Sequence, residues 1–265
     1  IIGDFTATIG DPSERWEARK PLSRAEAEAN MKQYLQQAEK VIDVGRAEVR
    51  YNSQWLSASL EKILELFKAV TVQQLLHRAD FKKRLEEGGE ITLLETCYPL
   101  LQGYDSVAVQ ADVEIGGTDQ KFNLLFGRKV QRHFHMPEQD IITMPLIEGT
   151  DGLKKMSKSF GNHIALTEEP TAMFGKIMSL PDQSIDKYYE LLTDEDRKID
   201  NPREAKIELA KIIVGLYHGP AAGESAKHYF IETVSHKKKP EDIPELRLAH
   251  GQWPIVDLLL QAGVK

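Results

Sequence analysis

Strand-like and helix-like segments alternate along the first 165 residues, and this alternation restricts the fold more than any other feature of the sequence. Short apolar runs typical of strands open the chain and recur at residues 49–56, 107–115 and 141–147. The segments between them carry apolar residues at helical spacing. Strands that are separated by helices pair in parallel, because the chain returns along the helix before the next strand begins. The sequence therefore predicts an α/β fold with a parallel sheet.

Three capping boxes mark the beginnings of helices in this region. In each box a Ser or Thr is followed three residues later by Glu or Gln, and the two side chains satisfy backbone amides that the helix end would leave without partners. We therefore expect a helix to begin directly after each Ser or Thr. The pairs are Ser23 with Glu26, Thr71 with Gln74, and Thr92 with Glu95.

The sequence changes character near residue 165, where we place a domain boundary. Residues 166–236 have helical spacing throughout, and an irregular linker follows at 237–265, beginning with three lysines and a proline. The chain opens inside an apolar strand-like run and ends just after a helical pattern begins. We therefore expect it to be part of a longer protein.

Composition excludes several classes of protein. Cys97 is the single cysteine, so this sequence holds neither a disulfide framework nor a cysteine zinc site, and a reducing cytoplasm is expected. The 34 basic and 41 acidic residues give a net charge of −7, which argues against a polybasic nucleic-acid or membrane binder but permits a local basic patch. No apolar run approaches the roughly 20 residues of a membrane span. The histidines are scattered, and we predict no metal site.

A cluster of lysines and serines lies between two glycines, Gly152 and Gly161, that permit a mobile loop. Lysine side chains suit a polyphosphate ligand because each is a point charge on a flexible stem. A generic lysine run is more often a solvated surface segment, and composition by itself favours that alternative. The cluster reads Lys154-Lys155-Met156-Ser157-Lys158-Ser159.

A second polar group is predicted on a helix. Tyr98, Gln102 and Asp105 are spaced so that they share one helical face, while the residues between them are apolar. A phenol, a carboxamide and a carboxylate on an inward face can form the polar wall of a pocket. A buried network of mutually satisfied side chains is the alternative.

Two turns follow predicted strands, at the positions where open α/β sheets bind ligands. One contains Asp11, and the other is the segment of Gly116, Gly117 and Asp119 that leads into a helix. Paired glycines allow close backbone approach, a helix N-terminus favours negative charge, and an aspartate can accept ribose hydroxyls. Each segment in isolation is more often a plain turn.

In this order along one chain, the motifs resemble those of bacterial tyrosyl-tRNA synthetases, a family of class I enzymes, and the lysine cluster matches the second class I signature. The first signature, His-Ile-Gly-His or a variant, does not occur in this sequence. The resemblance covers nearly the whole chain and is weakest after about residue 220. The segments that carry it are residues 1–13, 49–53, 98–105, 116–123 and 154–162.

The resemblance implies a fold and a reaction. It implies a Rossmann-like catalytic domain at 1–165, incomplete at its N-terminus, with a helical insertion near 56–97 that forms a homodimer interface. An α-helical domain at 166–236 and the linker at 237–265 would lead to a C-terminal RNA-binding domain. The reaction is ATP-dependent attachment of L-tyrosine to tRNA(Tyr) through tyrosyl-adenylate, with Mg²⁺ accompanying ATP, no tightly bound cofactor and no membrane partner.

The resemblance also implies roles for individual residues. The catalytic cations would be Lys155, Lys158, Arg15 and Arg19, which embrace the pyrophosphate in the transition state. Tyrosine would be bound by Asp11, Tyr98, Gln102, Asp105 and Gln120. ATP would be bound by Gly117, Asp119, Leu146, Ile147, Lys155, Met156, Ser157, Lys158 and Ser159.

Two alternatives remain at this point. A tryptophan-activating enzyme would share the fold and the lysine loop, although Asp105 and Gln102 favour a phenol over an indole, because an indole only donates. A synthetase-derived RNA-binding module without catalysis would explain the missing first signature. The intact lysine loop argues against such a module.

Overall fold

The computed structural model describes residues 1–9, 24–57, 60–196 and 198–235 of the chain. The predictions for Asp11, Arg15, Arg19 and Ser23, and for the linker at 237–265, concern residues outside these ranges. The fold is mainly helical with a small parallel sheet. Within the described residues, no helix is long and apolar enough to cross a membrane. The helices in chain order are α1 (Arg24–Ala38), α2 (Ser53–Leu56), α3 (Leu60–Phe67), α4 (Val72–Leu76), α5 (Ala79–Glu86), α6 (Leu93–Ala108), α7 (Lys121–His133), α8 (Pro170–Met178), α9 (Ile185–Leu192), α10 (Pro202–His218) and α11 (Pro220–Phe230).

The sheet confirms the predicted parallel α/β arrangement. Strands β1 (Val113–Gly117) and β2 (Asp140–Met144) pair in parallel, with α7 as the crossover between them. Helix α7 covers one face of the sheet. The opposite face exposes Ile115 and Ile142, at 66% and 47%. The strand predicted at 141–147 ends at Met144, and the described helices cover only one of its faces.

The predicted strand at 107–115 is wrong over its first half. Helix α6 continues to Ala108, and the chain reverses at Gln110, whose φ is 54°. The amide of Ala111 donates to the carbonyl of Ser106 at 2.9 Å, the long-range bond of a Schellman ending. Such endings normally place glycine in the left-handed position. Because glutamine stands there, the sequence carries no visible stop signal.

The strand-like segment at 49–56 also differs from the prediction. Tyr51 forms a parallel bridge with Ile2, but the next residues turn into helix α2. The Asp4 carboxylate explains the turn, because it accepts from the amide of Ser53 at 2.8 Å and from its hydroxyl at 2.5 Å. These bonds stabilise the helix start in place of a longer strand.

The two capping boxes within the described residues are confirmed. Thr71 accepts from the amide of Gln74, and Thr92 accepts from that of Glu95, each with the reciprocal bond present. The Glu95 carboxylate also accepts from Arg84 at 2.7 Å, and both side chains are buried. Burial opposes the charge on Glu95, but the bonds from Arg84 and Thr92 hold its pKa below the usual value. Helix α6 is thereby joined to α5 at its first turn.

The buried apolar residues form two clusters. The first lies around α6 and α7 and the second within α8–α11. The first cluster contains Ile9, Leu56, Leu66, Leu75, Leu100, Leu101, Phe126 and Val130. The second contains Met173, Phe174, Ile177, Leu180, Ile185, Tyr188, Tyr189, Ala205, Ile207, Leu209, Ala210, Ile213, Val214 and Ala226.

Helices α6 and α7 approach closely at Gly103. A Cβ at that position would lie 2.8 Å from Val130 Cγ2 and 3.4 Å from the Cα of Gly127. Val130 is fully buried, so it has little room to move. Because Gly103 carries no Cβ, the two helices can approach to this separation.

We predict that Gly103→Ala lowers the free energy of unfolding by about 1–3 kcal/mol, because overpacking outweighs the gain in helix propensity. Gly175→Ala in α8 is the matched control, since nothing lies within 4 Å of its added Cβ. The control should be neutral or stabilising by up to about 1 kcal/mol. Urea denaturation followed by circular dichroism measures both. Equal effects would contradict close packing at Gly103.

Candidate active site

Asp105 is a buried carboxylate on α6, with 8% of the residue exposed. Its Oδ1 accepts a hydrogen bond from Trp55 Nε1 at 2.7 Å, and its Oδ2 accepts from Asn52 Nδ2 at 3.2 Å. Tyr98 and Gln102 lie on the same helix and are half-buried. The predicted helical wall is therefore present, with Asp105 as its deepest member.

The pKa of Asp105 is raised from 3.8 to about 6, mainly by burial and to a smaller extent by the nearby charge of Glu114. The hydrogen bonds from Trp55 and Asn52 act in the opposite direction. The side chain is thus ionised at neutral pH and loses its charge as the pH falls through about 6. An acceptor with a perturbed pKa in a buried position marks this region as a candidate site.

Asn52 connects three segments around this carboxylate. Its Oδ1 accepts from the amide of Phe5 at 2.9 Å, while its Nδ2 donates to Thr6 Oγ1 at 3.0 Å as well as to Asp105. The residue is fully buried. The sequence prediction assigned no role to Asn52 or Trp55, because neither lies near Asp105 in the chain.

The predicted ribose-binding segment meets the lysine loop. Lys155 Nζ donates to Asp119 Oδ2 at 2.8 Å. A Cβ at Gly117 would lie 2.7 Å from Asp119 Oδ1 and 2.8 Å from Leu146 Cδ2. Four of the predicted nucleotide-binding residues are therefore brought together from β1, from the segment after β2 and from the loop.

A buried chain of side chains ends at Gln120. Arg78 Nη1 donates to Asn123 Oδ1 at 3.2 Å, and Asn123 Nδ2 donates to Gln120 Oε1 at 3.0 Å. Because arginine only donates, the Asn123 carbonyl must face it, and its amino group faces Gln120. This order fixes the Gln120 carbonyl toward Asn123. No sequence pattern pointed to Arg78, which lies between α4 and α5.

The lysine loop is organised by Asn162, which is 4% exposed. Its Oδ1 accepts from the amide of Ser157 at 2.9 Å, and its Nδ2 donates to Asp151 Oδ2 at 3.0 Å and to the carbonyl of Lys155 at 3.2 Å. A Cβ at Gly149 would overlap the same side chain. One asparagine thus holds both arms of the loop.

The remaining predicted residues of the loop point in different directions. Ile147 and Met156 pack against the second core cluster, and the amide of Met156 donates to the carbonyl of Ile147 at 2.8 Å. Lys158 and Ser159 are exposed, and Ser157 caps their short helical turn by accepting from the amide of Ser159 at 3.2 Å. The loop therefore presents cations outward while its base is anchored to the helical part.

Comparison with known proteins identifies the family. The profile described as tRNA synthetases class I (W and Y) matches residues 1–235. The tyrosine–tRNA ligase of Bordetella parapertussis is 46% identical over 276 residues, covering 100% of this chain and 68% of the relative. The tyrosine–tRNA ligase of Thermotoga maritima is 46% identical over 276 residues, covering 99% of this chain and 69% of that relative.

This chain belongs to the class I tRNA synthetases for tyrosine and tryptophan. Solved structures share the fold of this synthetase. The Aspergillus nidulans mitochondrial tyrosyl-tRNA synthetase aligns with a TM-score of 0.66 at 20% identity, over 87% of this chain and 74% of that chain. The Campylobacter jejuni tryptophanyl-tRNA synthetase aligns with a TM-score of 0.55 at 16% identity, over 88% of this chain and 78% of that chain.

The hydrogen bonds of Asn162 predict that this side chain holds the lysine loop of the synthetase in place. We predict that Asn162→Ala speeds amide hydrogen exchange at Ser157 by about tenfold or more, because the amide loses its acceptor. Asn201→Ala is the matched control, since Asn201 accepts from the amide of Glu204 at 3.1 Å at the start of α10. The control should loosen α10 and leave the loop unchanged. Unaltered exchange at Ser157 in Asn162→Ala would show that Asn162 does not hold the loop.

Proposed function

We propose that this synthetase activates L-tyrosine with ATP and attaches it to tRNA(Tyr). The observation that carries the proposal is the buried carboxylate of Asp105 at the inner end of a helical face with Tyr98 and Gln102. A phenol hydroxyl can donate to this acceptor in a charge-assisted hydrogen bond. The 46% identity to tyrosine–tRNA ligases over the whole chain supports tyrosine over tryptophan.

Tyrosine is held at both ends in this proposal. Asp105 accepts a hydrogen bond from the phenol hydroxyl, while Asp11, Tyr98 and Gln102 bind the α-ammonium group. Phenylalanine is disfavoured because it has no hydroxyl, so the buried Asp105 carboxylate lacks the additional donor that tyrosine supplies. Gln120 lies beside the carboxylate of tyrosine, with its carbonyl already directed toward Asn123. In this proposal its amino group is the end that donates to the amino acid.

ATP is bound where Asp119 and the lysine loop meet. Asp119 and the Gly117 backbone hold the ribose, and Leu146 and Ile147 flank the adenine, with Met156, Ser157 and Ser159 contributing from the loop. Asp119 accepts from Lys155 in this structure, so ribose hydroxyls that bind the same carboxylate compete for it. Lys155 is then released toward the phosphates. Mg²⁺ bound together with ATP would supply further positive charge beside these residues.

The chemical step requires positioning and charge stabilisation. The tyrosine carboxylate attacks the α-phosphorus, and the bond to pyrophosphate breaks. The terminal ribose hydroxyl of tRNA then attacks the tyrosyl carbonyl carbon of the adenylate and displaces AMP. Lys155 and Lys158 from the loop, with Arg15 and Arg19, stabilise the negative charge that builds on the phosphates. No covalent nucleophile is needed.

We predict that Asp105→Asn lowers the ratio of kcat/KM for tyrosine over phenylalanine by about tenfold or more, because a neutral acceptor bonds the phenol more weakly. ATP–pyrophosphate exchange with each amino acid, using the full-length protein, measures the ratio. Asp112→Asn, at an exposed carboxylate before β1, is the control and should leave the ratio unchanged. Unchanged selectivity in Asp105→Asn, or no tyrosine-dependent exchange in the unaltered protein, would contradict the proposed function.

We also propose that two copies pair through the helical insertion near residues 56–97, as expected for this family. Several large apolar side chains in this segment are exposed, whereas other apolar side chains of the same helices are buried. A standard stable interface buries more than about 1,000 Å² in total and has an apolar centre. The exposed residues are Leu64, Phe67, Val72, Leu85, Leu93 and Leu94.

Leu93, which is 77% exposed, tests this pairing. We predict that Leu93→Asp converts the dimer to a monomer, because a charge at an apolar interface centre loses its water. Sedimentation at micromolar concentration measures the change. Leu216→Asp is the control, because Leu216 is 56% exposed but lies on α10, outside the insertion. A monomeric unaltered protein would contradict the interface.

We also propose how the chain divides into domains and in which compartment it acts. Residues 1–165 act as the catalytic domain and 166–236 as the helical domain, with 237–265 as the linker to an RNA-binding domain. The cytoplasm, where tRNA is charged, is the proposed compartment. The alternative of a binding module without catalysis is less consistent with the assembled Lys155, Asp119 and Gly117 cluster.

A further inference from the structure

A row of hydrogen bonds runs from Arg78 through Asn123 to Gln120, and the first two side chains are almost fully buried. We propose that Arg78 and Asn123 are positioning residues that fix which end of the Gln120 carboxamide faces the substrate, so that its amino group donates to the carboxylate of tyrosine. This inference rests on the proposed function, in which Gln120 lies beside that carboxylate. It assigns an effect on the attacking group to two residues that the proposed function leaves without a role.

The direction of the row follows from the donors that each group carries. A guanidinium only donates, so the oxygen of Asn123 faces Arg78 Nη1, at 3.2 Å. The amino group of Asn123 then donates to Gln120 Oε1, at 3.0 Å. The oxygen and the amino group of a carboxamide point in different directions. The Gln120 amino group therefore faces away from the amino group of Asn123.

Arg78 is itself held in one orientation. The carboxylate of Asp80 accepts from its Nε at 2.9 Å and from its Nη2 at 2.8 Å. The guanidinium also lies against two aromatic rings, 5.0 Å from the centre of Phe81 and 5.1 Å from that of Phe122. Because Phe122 and Asn123 are neighbours on α7, the same helix supports the guanidinium and accepts its hydrogen bond. Arg78 is thus a fixed donor from which the row begins.

The stem of Gln120 is also confined, but packing does not select the orientation of its carboxamide. Gln120 ends a short helical turn, residues 118–120, between β1 and α7. A Cβ on Gly116 would lie 3.3 Å from the Cβ of Gln120, so the side chain starts close against the backbone of β1. The two orientations of a carboxamide exchange an oxygen for an amino group of nearly the same shape. Hydrogen-bond partners therefore decide which end meets the substrate.

Asn123→Asp reverses the row and keeps the shape of the side chain. Aspartate only accepts, so it can bind both Arg78 and the amino group of Gln120, which turns the Gln120 oxygen toward tyrosine. We expect the affinity for tyrosine to fall about tenfold or more, because an oxygen replaces a donor beside the substrate carboxylate. Tyramine has the phenol and ammonium groups of tyrosine but no carboxylate, and its affinity should change by less than about twofold. Equilibrium dialysis of the full-length protein measures both affinities.

Asn123→Ala separates the direction of the row from packing and from added charge. Alanine removes the donor to Gln120 without reversing the carboxamide, so tyrosine affinity should fall by about threefold, less than in Asn123→Asp, and tyramine affinity should not fall. If Asn123 only fills space, alanine will be the worse variant and both ligands will bind more weakly. If aspartate acts only through its charge, alanine will leave tyrosine affinity unchanged. Either result overturns the assignment.

Asn201→Asp is the matched control. Asn201 accepts from the amide of Glu204 at 3.1 Å at the start of α10, and aspartate caps a helix equally well, so both affinities should stay unchanged. Thermal unfolding checks that each variant is folded, and the two ligands compared in Asn123→Ala test the assignment even if Asn123→Asp does not fold. Absence of tyrosine binding by the unaltered protein would contradict the proposed function. Tyrosine binding without a tyrosine-specific loss in the variants would overturn this assignment alone.

Discussion

The buried charge of Asp105 is the interaction on which the first half of the structure depends. Asn52, which also donates to Thr6, reaches it from one side, Trp55 of α2 reaches it from another, and α6 carries it. A rise in pKa from 3.8 to about 6 means that ionised Asp105 costs the folded state roughly 3 kcal/mol at neutral pH. The cost disappears below the unfolded pKa, where both states are protonated. The fold thus keeps a destabilising group in the place where a substrate hydroxyl can use it.

The lysine loop depends on a different constraint, which is its attachment to the helical part. Tyr188 donates to the carbonyl of Glu148 at 2.6 Å, and Lys187 pairs with the Glu148 carboxylate at 2.5 Å. Gly152 lies against Pro181 so closely that a Cβ would overlap it. Movement of α9 relative to the sheet would therefore be passed to the base of the loop. This connection links the lysine loop to helix α9.

The ion pair of Lys155 with Asp119 joins the lysine loop to the segment that follows β1. A cation that is later needed at the phosphates occupies the carboxylate that binds ribose in the proposed function. In the proposed function, Asp119 and Lys155 each exchange the other for a group of ATP. The ribose hydroxyls become the partners of Asp119, and the phosphates become the partners of Lys155. The contact has this consequence because it joins two segments that are more than 30 residues apart in the chain.

The sequence by itself determined the elements whose signals are local. The capping boxes at Thr71 and Thr92, the helical face of Tyr98 and Asp105, and the parallel α/β pattern depend on residues a few positions apart. The tertiary structure decided what distant segments do to one another. It ended α6 at Gln110 without glycine, turned the segment after Tyr51 into α2, and brought Trp55, Asn52 and Asn162 into the site. The physical reason is that hydrogen bonds to buried groups are chosen by the partners that packing leaves within reach, and spacing along the chain does not record them.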